Sequence, residues 1–578
     1  MCGIALGLLG ADAAPPGSFL SDYGNLWENL CSACVERGPD WSDSAKLSLR
    51  DESENRLDVI ACSSVLHLRG PDGRQGLTRQ PHIGSDGSIF AWNGEIFNGV
   101  PVEHNENDGL KLFNMIQNSQ GDIGSLKHIL SGLEGPYAFV YLHKPTQMLY
   151  FARDPLGQRS LLLHLPTPSE PILLLCSASN HRDVEYEEIS TSGIYSISLK
   201  GTVFECARSL TCTTRDQSVF DGWKTLNRTI PPEDLSPISR EQIEDFISRL
   251  DDSVRSRVAS IPSNNVNSSQ GEKPAARLGV LFSGGIDSSV VAYLADRHVP
   301  RDEPIDLLNV GFENPRTLGA PQNKAIQAAK VQRKRDKKER KKGMYAPETP
   351  SALSTPVISE SPKSESPKTG MYDVPDRLTG LKQLEELRRL CPHRRWNFVC
   401  VNVPYESLAN ALYFASRGKG VIYGSEGESY TSPAKVLLSG LGSDELLGGY
   451  SRHKIAYNQG GWDGLLQLDL DRLPSRNLGR DDRVISANGR ESRYPFLSLV
   501  LVAYLAQLPV QIKVDPRLTL QKEGLGAGLG DKTLLRLAAE RLGLVLASRR
   551  TKRAMQFGSR SARMESGTSE KKGHVVLE

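Results

Sequence analysis

A chain of 578 residues, 38% hydrophobic and 24% charged, is long enough to bury about two or three sizeable cores. Its 70 Lys and Arg against 68 Asp and Glu give a formal charge of +2, so there is no global electrostatic pull toward nucleic acid or an anionic membrane. The longest strongly apolar stretch, residues 496–510, contains Ser, Gln and Pro and falls short of the roughly 20 residues needed to cross a bilayer.

The opening Met-Cys-Gly-Ile-Ala-Leu-Gly-Leu-Leu-Gly is apolar but has no basic leader, which makes it a poor signal peptide and sets a cytoplasmic expectation. Nine cysteines scattered over this length are too dilute for a disulfide framework, and reduced thiols are expected. Cys31 and Cys34 form a CxxC, but no second pair at zinc-ribbon spacing follows, and they fit the apolar pattern of residues 27–35. Core packing is the reading they support.

In chain order, residues 1–215 are made of short β-rich runs, such as 89–92, 138–142, 149–152 and 172–177, separated by Gly, Pro and Asp turns. This pattern predicts a packed sheet domain with few helices. From residue 239 the pattern changes: 240–258 is an amphipathic helix, 278–282 a strand, and 288–297 a helix after a Gly-Gly turn. That order predicts an α/β parallel sheet within residues 236–557.

Residues 316–371 interrupt this second domain with a charged run followed by repeated Ser-Pro and Thr-Pro pairs, a composition expected to be disordered. Between Lys324 and Lys342 stand ten basic residues against Asp336 and Glu339. Such a run suits nuclear import, through 330–342, a nucleic-acid contact or a protein partner, but a plain solvated insertion is the preferred reading because motifs this short match often by chance. Nucleic acid is the least supported, because no aromatic platform or recognised module accompanies the run. Residues 558–578 read as a flexible tail.

Cys2 precedes Gly3, so removal of Met1 would place a thiol and a free α-amine on one residue, where the amine can take the thiol proton. Asn93-Gly94 taken alone is a common β-turn dipeptide. Several further pieces accompany these: 37–42 (RGPDWS), 67–69 (HLR), 92–98 (WNGEIFN), 133–139 (LEGPYAF) and 152–157 (ARDPLG). Jointly with Met-Cys-Gly-Ile they resemble the class II glutamine amidotransferase domain of asparagine synthetases. The resemblance implies an α+β N-terminal nucleophile hydrolase sandwich in which Cys2 attacks the glutamine amide, forms a thioester and releases ammonia. Asn93 and the Gly94 N–H would stabilise the oxyanion. Arg69 would hold the glutamine carboxylate, and Glu95 and Asp108 its ammonium, with Asn93 lining the same pocket. Read without the family pattern, Arg69 and Asp108 are surface charges.

In the second domain an apolar strand ending at Leu281 runs through Phe282, Ser283, Gly284, Gly285 and Ile286 into Asp287, Ser288 and Ser289. Such a loop can cradle phosphate with backbone amides, the serine hydroxyls and a helix start, and it is not a Walker A loop because no Lys-Ser or Lys-Thr follows the glycines. It resembles the loop of ATP-pyrophosphatases, and residues 438–450 (LSGLGSDELLGGY), 488–497 and 550–553 extend the similarity to asparagine synthetases. This implies ATP and Mg²⁺, with Asp287 and Asp444 as metal carboxylates. Ser439 and Gly440 would contact the nucleotide, Leu281 and Val310 would lie beside adenine and ribose, and Lys552 would stabilise the activated intermediate. Glutamine, aspartate and ATP are the implied substrates. The chain departs from the family at Leu441, where synthetases carry Glu, and at Ser498, where they carry Asp. With the insertion and the block 376–380, the pattern stands closer to the asparagine synthetase domain-containing branch than to housekeeping synthetases.

Overall fold

The computed structural model describes the chain from Cys2 to Ser559 apart from residues 11–22, 71–76, 104, 181–183, 216–225, 228, 230–236, 264–273, 314–369, 405–409, 426, 459–463, 521–529 and 552–558. The basic run, nearly all of the expected insertion, Lys552 and the tail beyond Ser559 therefore lie outside the described residues.

The first half contains twelve strands: β1 (Gly3–Gly10), β2 (Trp41–Arg50), β3 (Arg56–Val65), β4 (His82–Ile83), β5 (Ile89–Gly94), β6 (Tyr137–His143), β7 (Met148–Arg153), β8 (Leu162–His164), β9 (Ile172–Cys176), β10 (Glu187–Glu188), β11 (Gly193–Ser198) and β12 (Thr211–Thr214). They form two six-stranded sheets in the orders β10-β8-β9-β1-β3-β2 and β12-β11-β7-β6-β5-β4. Every pairing within them is antiparallel.

Strand alternation decides which way each residue faces. Ile4, Leu6 and Leu8 of β1 meet Ala138, Val140 and Leu142 of β6 in one core between the sheets. Ala5 and Leu9 point the other way, onto the Gly24–Arg37 helix, where Cys34 is buried in the core and Cys31 packs at its edge. Phe139 and Tyr141 likewise turn outward, toward Leu112, Phe113 and Ile116 of the Asp108–Gln117 helix and Leu126 and Leu130 of the Ile123–Ser131 helix. The result is helix, sheet, sheet, helix. Strands covered on both faces explain the near-continuous apolar runs in the sequence.

The second half forms a seven-stranded sheet from β13 (Leu278–Leu281), β14 (Ile305–Phe312), β15 (Trp396–Val403), β16 (Lys419–Ile422), β17 (Ser429–Thr431), β18 (Val436–Leu438) and β19 (Glu491–Arg493), in the order β17-β16-β15-β14-β13-β18-β19. From β15 to β19 the pairs are parallel; β16 and β17 add an antiparallel edge. The Arg240–Val258 helix has the bounds expected from its periodicity. Ser239 caps the N–H of Gln242, whose side chain caps back, and Phe246, Ile247, Leu250, Val254 and Val258 are buried along one stripe. The helix after β13 starts at Ile286, two residues earlier than expected, because Gly285 already serves as its N-cap. Among the described residues no helix is long and apolar enough to cross a membrane.

The chain passes from β13 to β14 and β15 on one side and returns to β18 on the other. This leaves a crevice at the carboxyl ends of β13 and β18, where open α/β sheets bind ligands.

Candidate active sites

Cys2 immediately precedes β1 and is 8% exposed. Its backbone N–H donates to Asn93 Oδ1 at 3.1 Å, its carbonyl accepts from Arg37 Nε at 3.3 Å, and its Sγ accepts from Gln80 Nε2 at 3.6 Å. Gln80 is itself fixed, its Oε1 accepting the Trp92 N–H at 2.8 Å. Burial pushes the Cys2 thiol up from its ordinary range. A buried thiol in that state needs a nearby base to become a nucleophile.

Asn93 and Gly94 are strand residues, paired with Ala138 and Tyr137, so the turn suggested by the dipeptide does not form. Asn93 is fully buried, and its Nδ2 has no hydrogen-bond partner among the described residues. No side chain fits at Gly94, where a Cβ would lie 2.7 Å from the Pro136 carbonyl oxygen and from Tyr137 Cβ. An amide donor kept buried and unpaired beside a thiol is what a developing oxyanion requires.

Arg69, Glu95 and Asp108 are not surface charges. Arg69 Nε and Glu95 Oε2 stand 2.8 Å apart, with side chains 11% and 5% exposed, yet out of line for a hydrogen bond. Asp108 accepts the N–H groups of Ile96 and Gly109 at 2.9 and 2.8 Å. Burial raises the Glu95 carboxyl to about 7, against the pull of Arg493 and Arg69. Burial opposes the charge on Arg69, but Glu95, Asp108 and Glu491 outweigh it and hold the guanidinium above its usual range.

The second site lies at the crevice of the parallel sheet. Gly284 has φ +73°, and a Cβ there would lie 2.5 Å from the Gly380 nitrogen. Only glycine lets this loop pass so close to another backbone. Ser283 Oγ accepts the Gly285 N–H, and Ser288 and Ser289 hydroxyls donate to the Gly285 carbonyl. Gly440 abuts Asp287, since a Cβ on it would lie 2.6 Å from Asp287 Cβ, which places the two glycine-containing loops side by side. Leu281 and Val310, both partly buried, pack against one apolar cluster that includes Leu308, Val399 and Leu437.

Asp287 and Asp444 meet through a residue that sequence reasoning did not single out. Lys532 Nζ lies 2.6 Å from an oxygen of each and 2.9 Å from Ser443 Oγ. Burial opposes its charge, but the two aspartates outweigh it and hold the ammonium well above the ordinary lysine range. Two carboxylates that enclose a cation are an oxygen donor set of the kind that fits a hard divalent ion. The only sequence signal for Lys532 is its position immediately before the Thr533–Arg541 helix. Leu441 is half-buried against the main core of this domain and offers no ionisable group.

A seam of buried charge joins the two sites. Arg37 pairs with Asp482 at 2.9 Å and bonds Ser486; Arg159 reaches Glu491 at 3.1 Å; Arg493 pairs with Glu491 at 2.6 Å and approaches Glu95 at 3.4 Å. Ser498, where synthetases carry Asp, donates to Glu134 at 2.6 Å, and Arg257 approaches the same oxygen at 3.5 Å. Burial alone would raise Glu491, yet Arg493 and Arg159 hold it down to about 2. The sequence marks 488–497 as a matching block but gives these residues no role.

A family model described as asparagine synthase matches residues 273–361 and 457–571. Asparagine synthetase domain-containing protein 1 of Gallus gallus is 35% identical over 93% of this chain and 94% of its own length, and that of Homo sapiens is 35% identical over 94% and 93%. A putative glutamine-hydrolysing asparagine synthetase of Methanocaldococcus jannaschii is 26% identical over 80% of this chain and 73% of its own. A solved glutamine phosphoribosylpyrophosphate amidotransferase from B. subtilis covers 54% of this chain and 67% of its own at 15% identity and a TM-score of 0.25, a likeness too slight to carry weight. With an asparagine synthase match in the second half and end-to-end identity of this order, the chain belongs to the asparagine synthetase domain-containing protein 1 family.

Proposed function

We propose that the chain is a glutamine-dependent amidotransferase in which a class II, N-terminal nucleophile glutaminase feeds ammonia to an ATP-pyrophosphatase domain. The observation that carries this reading is Asn93, which holds the Cys2 nitrogen through Oδ1 and keeps Nδ2 buried without a partner. With Met1 removed, that nitrogen is an α-amine able to take the Sγ proton.

Sγ then bonds to the glutamine amide carbon, and the carbonyl electron pair moves onto oxygen, where Asn93 Nδ2 and the Gly94 N–H meet it. Collapse of this adduct breaks the C–N bond, and the nitrogen leaves as ammonia with the proton held by the α-amine. Water hydrolyses the resulting thioester to glutamate. Arg69, Glu95 and Asp108 orient the amino-acid end of glutamine.

In the second domain Ser283, Gly284, Gly285, Ser288, Ser289, Ser439 and Gly440 are the proposed ATP contacts, with Leu281 and Val310 beside the nucleoside. Asp287 and Asp444 would hold Mg²⁺, which supplies charge neutralisation on the phosphates when bound. An aspartate β-carboxylate oxygen displaces pyrophosphate from the α-phosphorus; ammonia attacks the acyl carbon and AMP leaves, giving asparagine. Lys552 is the proposed stabiliser of that intermediate, and Lys532 is a second cation at the phosphate end.

Leu441 favours a second reading, in which the nucleotide domain takes a less polar acid or acts only as a nucleotide-binding regulator or scaffold, because the ionisable group of synthetases is missing there. Met1-processed protein given glutamine, aspartate and Mg²⁺-ATP separates the two. Equal asparagine and pyrophosphate support the synthetase, whereas glutamate alone supports the second reading. Deleting residues 316–371 tests whether that insertion carries a protein contact: loss of the biological effect with both activities intact assigns it one.

A further inference from the structure

The glutamine pocket is closed by a residue of the other domain. Arg493, on β19, is 1% exposed and held on every side. Its Nε donates to Glu491 at 2.6 Å, and its Nη1 donates to the Arg257 carbonyl at 2.7 Å and to Ser260 Oγ at 3.3 Å. Its guanidinium lies over the Phe97 ring at 5.4 Å, while Arg257 lies over the same ring at 4.6 Å. That leaves Nη2, which stands 3.4 Å from Glu95 and makes no hydrogen bond. Glu95 Oε2 is likewise buried without one. Glu95 thus stands between two guanidinium groups, its Oε1 toward Arg493 and its Oε2 2.8 Å from Arg69 Nε. Arg493 also reaches the second site through its backbone: its carbonyl accepts the Ser439 N–H at 3.0 Å, and Leu438 pairs with it in register across β18 and β19.

We propose that Arg493 is a positioning residue of the glutamine site, pairing with Glu95 and aiming it at the substrate α-ammonium, so that the pocket is incomplete unless β19 of the nucleotide domain is seated against it. This deepens the reading of Cys2 as a glutaminase nucleophile and rests on it. The groups facing Glu95 are Arg69 from the loop after β3, Asp108 from the start of the Asp108–Gln117 helix, and Glu491 and Arg493 from β19. Two of these are carboxylates that disfavour its charge, and of the two cations Arg493 acts the more strongly. Without Arg493 the carboxyl stays protonated through neutral pH and loses its hold on an ammonium ion.

The test uses the full chain and two substrates: glutamine, and glutaramate, which has the same amide and carboxylate but no α-ammonium. Ammonia release is measured from pH 6 to 9 for wild type, Arg493→Met and Arg493→Lys. The expected result for Arg493→Met is a KM for glutamine raised about fivefold at pH 7, because a one-unit rise from about 7 takes the ionised fraction of the carboxylate from about one half to about one tenth. Its kcat stays within about threefold, kcat/KM for glutaramate changes by less than about threefold, and the midpoint of the glutamine profile moves to higher pH. Arg493→Lys, which keeps the charge, falls between. Because the two substrates are compared on one preparation, loss of folded protein cancels from the ratio. Equal losses for glutamine and glutaramate, or an unmoved midpoint, would overturn the positioning role. Wild-type protein that released no ammonia from glutamine would remove the underlying glutaminase reading instead.

Discussion

Replacing Lys532 with Met is the most informative single change at the second site. Methionine keeps most of the side-chain volume but leaves the Asp287 and Asp444 oxygens, each 2.6 Å from the lost nitrogen, facing one another without a cation. Breaking a buried ion pair costs about 3–5 kcal/mol. Their side chains are 19% and 16% exposed toward the crevice, so water can reach them in part, and the lower figure of about 3 kcal/mol applies. For a domain of this size that lowers the melting temperature by about 6–12 °C. A divalent ion bound by the same two carboxylates can supply the missing charge. At a concentration of 100 times its Kd it returns about 2.7 kcal/mol. Thermal denaturation with and without Mg²⁺ therefore shows a larger Mg²⁺-dependent rise for the variant than for wild type, where the ammonium already sits between the carboxylates. A variant as stable as wild type, or an equal Mg²⁺ shift in both proteins, would refute the assignment of these aspartates as a cation site.

Cys2→Ala abolishes glutamate release and leaves pyrophosphate release with free ammonium intact, measured side by side on one preparation. Asn93→Ala lowers kcat for glutamine by about 10²- to 10³-fold through loss of the oxyanion donor. It also costs about 1–3 kcal/mol of stability, because the buried Cys2 N–H loses its acceptor; steady-state kinetics and denaturant titration read the two effects separately. Gly284→Ala forces a side chain into a left-handed backbone against Gly380, costs about 1–3 kcal/mol, and weakens binding of a fluorescent ATP analogue while glutaminase kcat is kept.

The strands around 89–92, 138–142, 149–152, 172–177 and 278–282 were legible as β-rich runs between turns, and the Arg240–Val258 helix from its periodicity, because both signals lie within a few neighbouring residues. The proposed phosphate loop is also local: strand, two glycines and helix are contiguous, so Ser283 to Ser289 could be read directly from the chain. The residues proposed for the glutaminase site were legible only as short pieces matched to a family, since nothing in the spacing of Cys2, Arg69, Asn93 and Asp108 says that they meet. Arg69 and Asp108 alone look like surface charges, and burial reverses that reading because it depends on the sheets above and below them.

Tertiary structure alone decided the rest. Lys532 stands 245 residues from Asp287 and reaches it because the Thr533–Arg541 helix packs against the Ile286–Asp296 helix that carries Asp287. Arg493 lies in the block 488–497, which the sequence marks only by its similarity to the family, and its place between Glu491 and Glu95 arises because β19 lies at the sheet edge facing the first domain. Composition and periodicity tell which side chains shun water. They do not tell which charges are buried against partners from another domain, because that pairing is paid for by long-range contacts the local sequence does not encode.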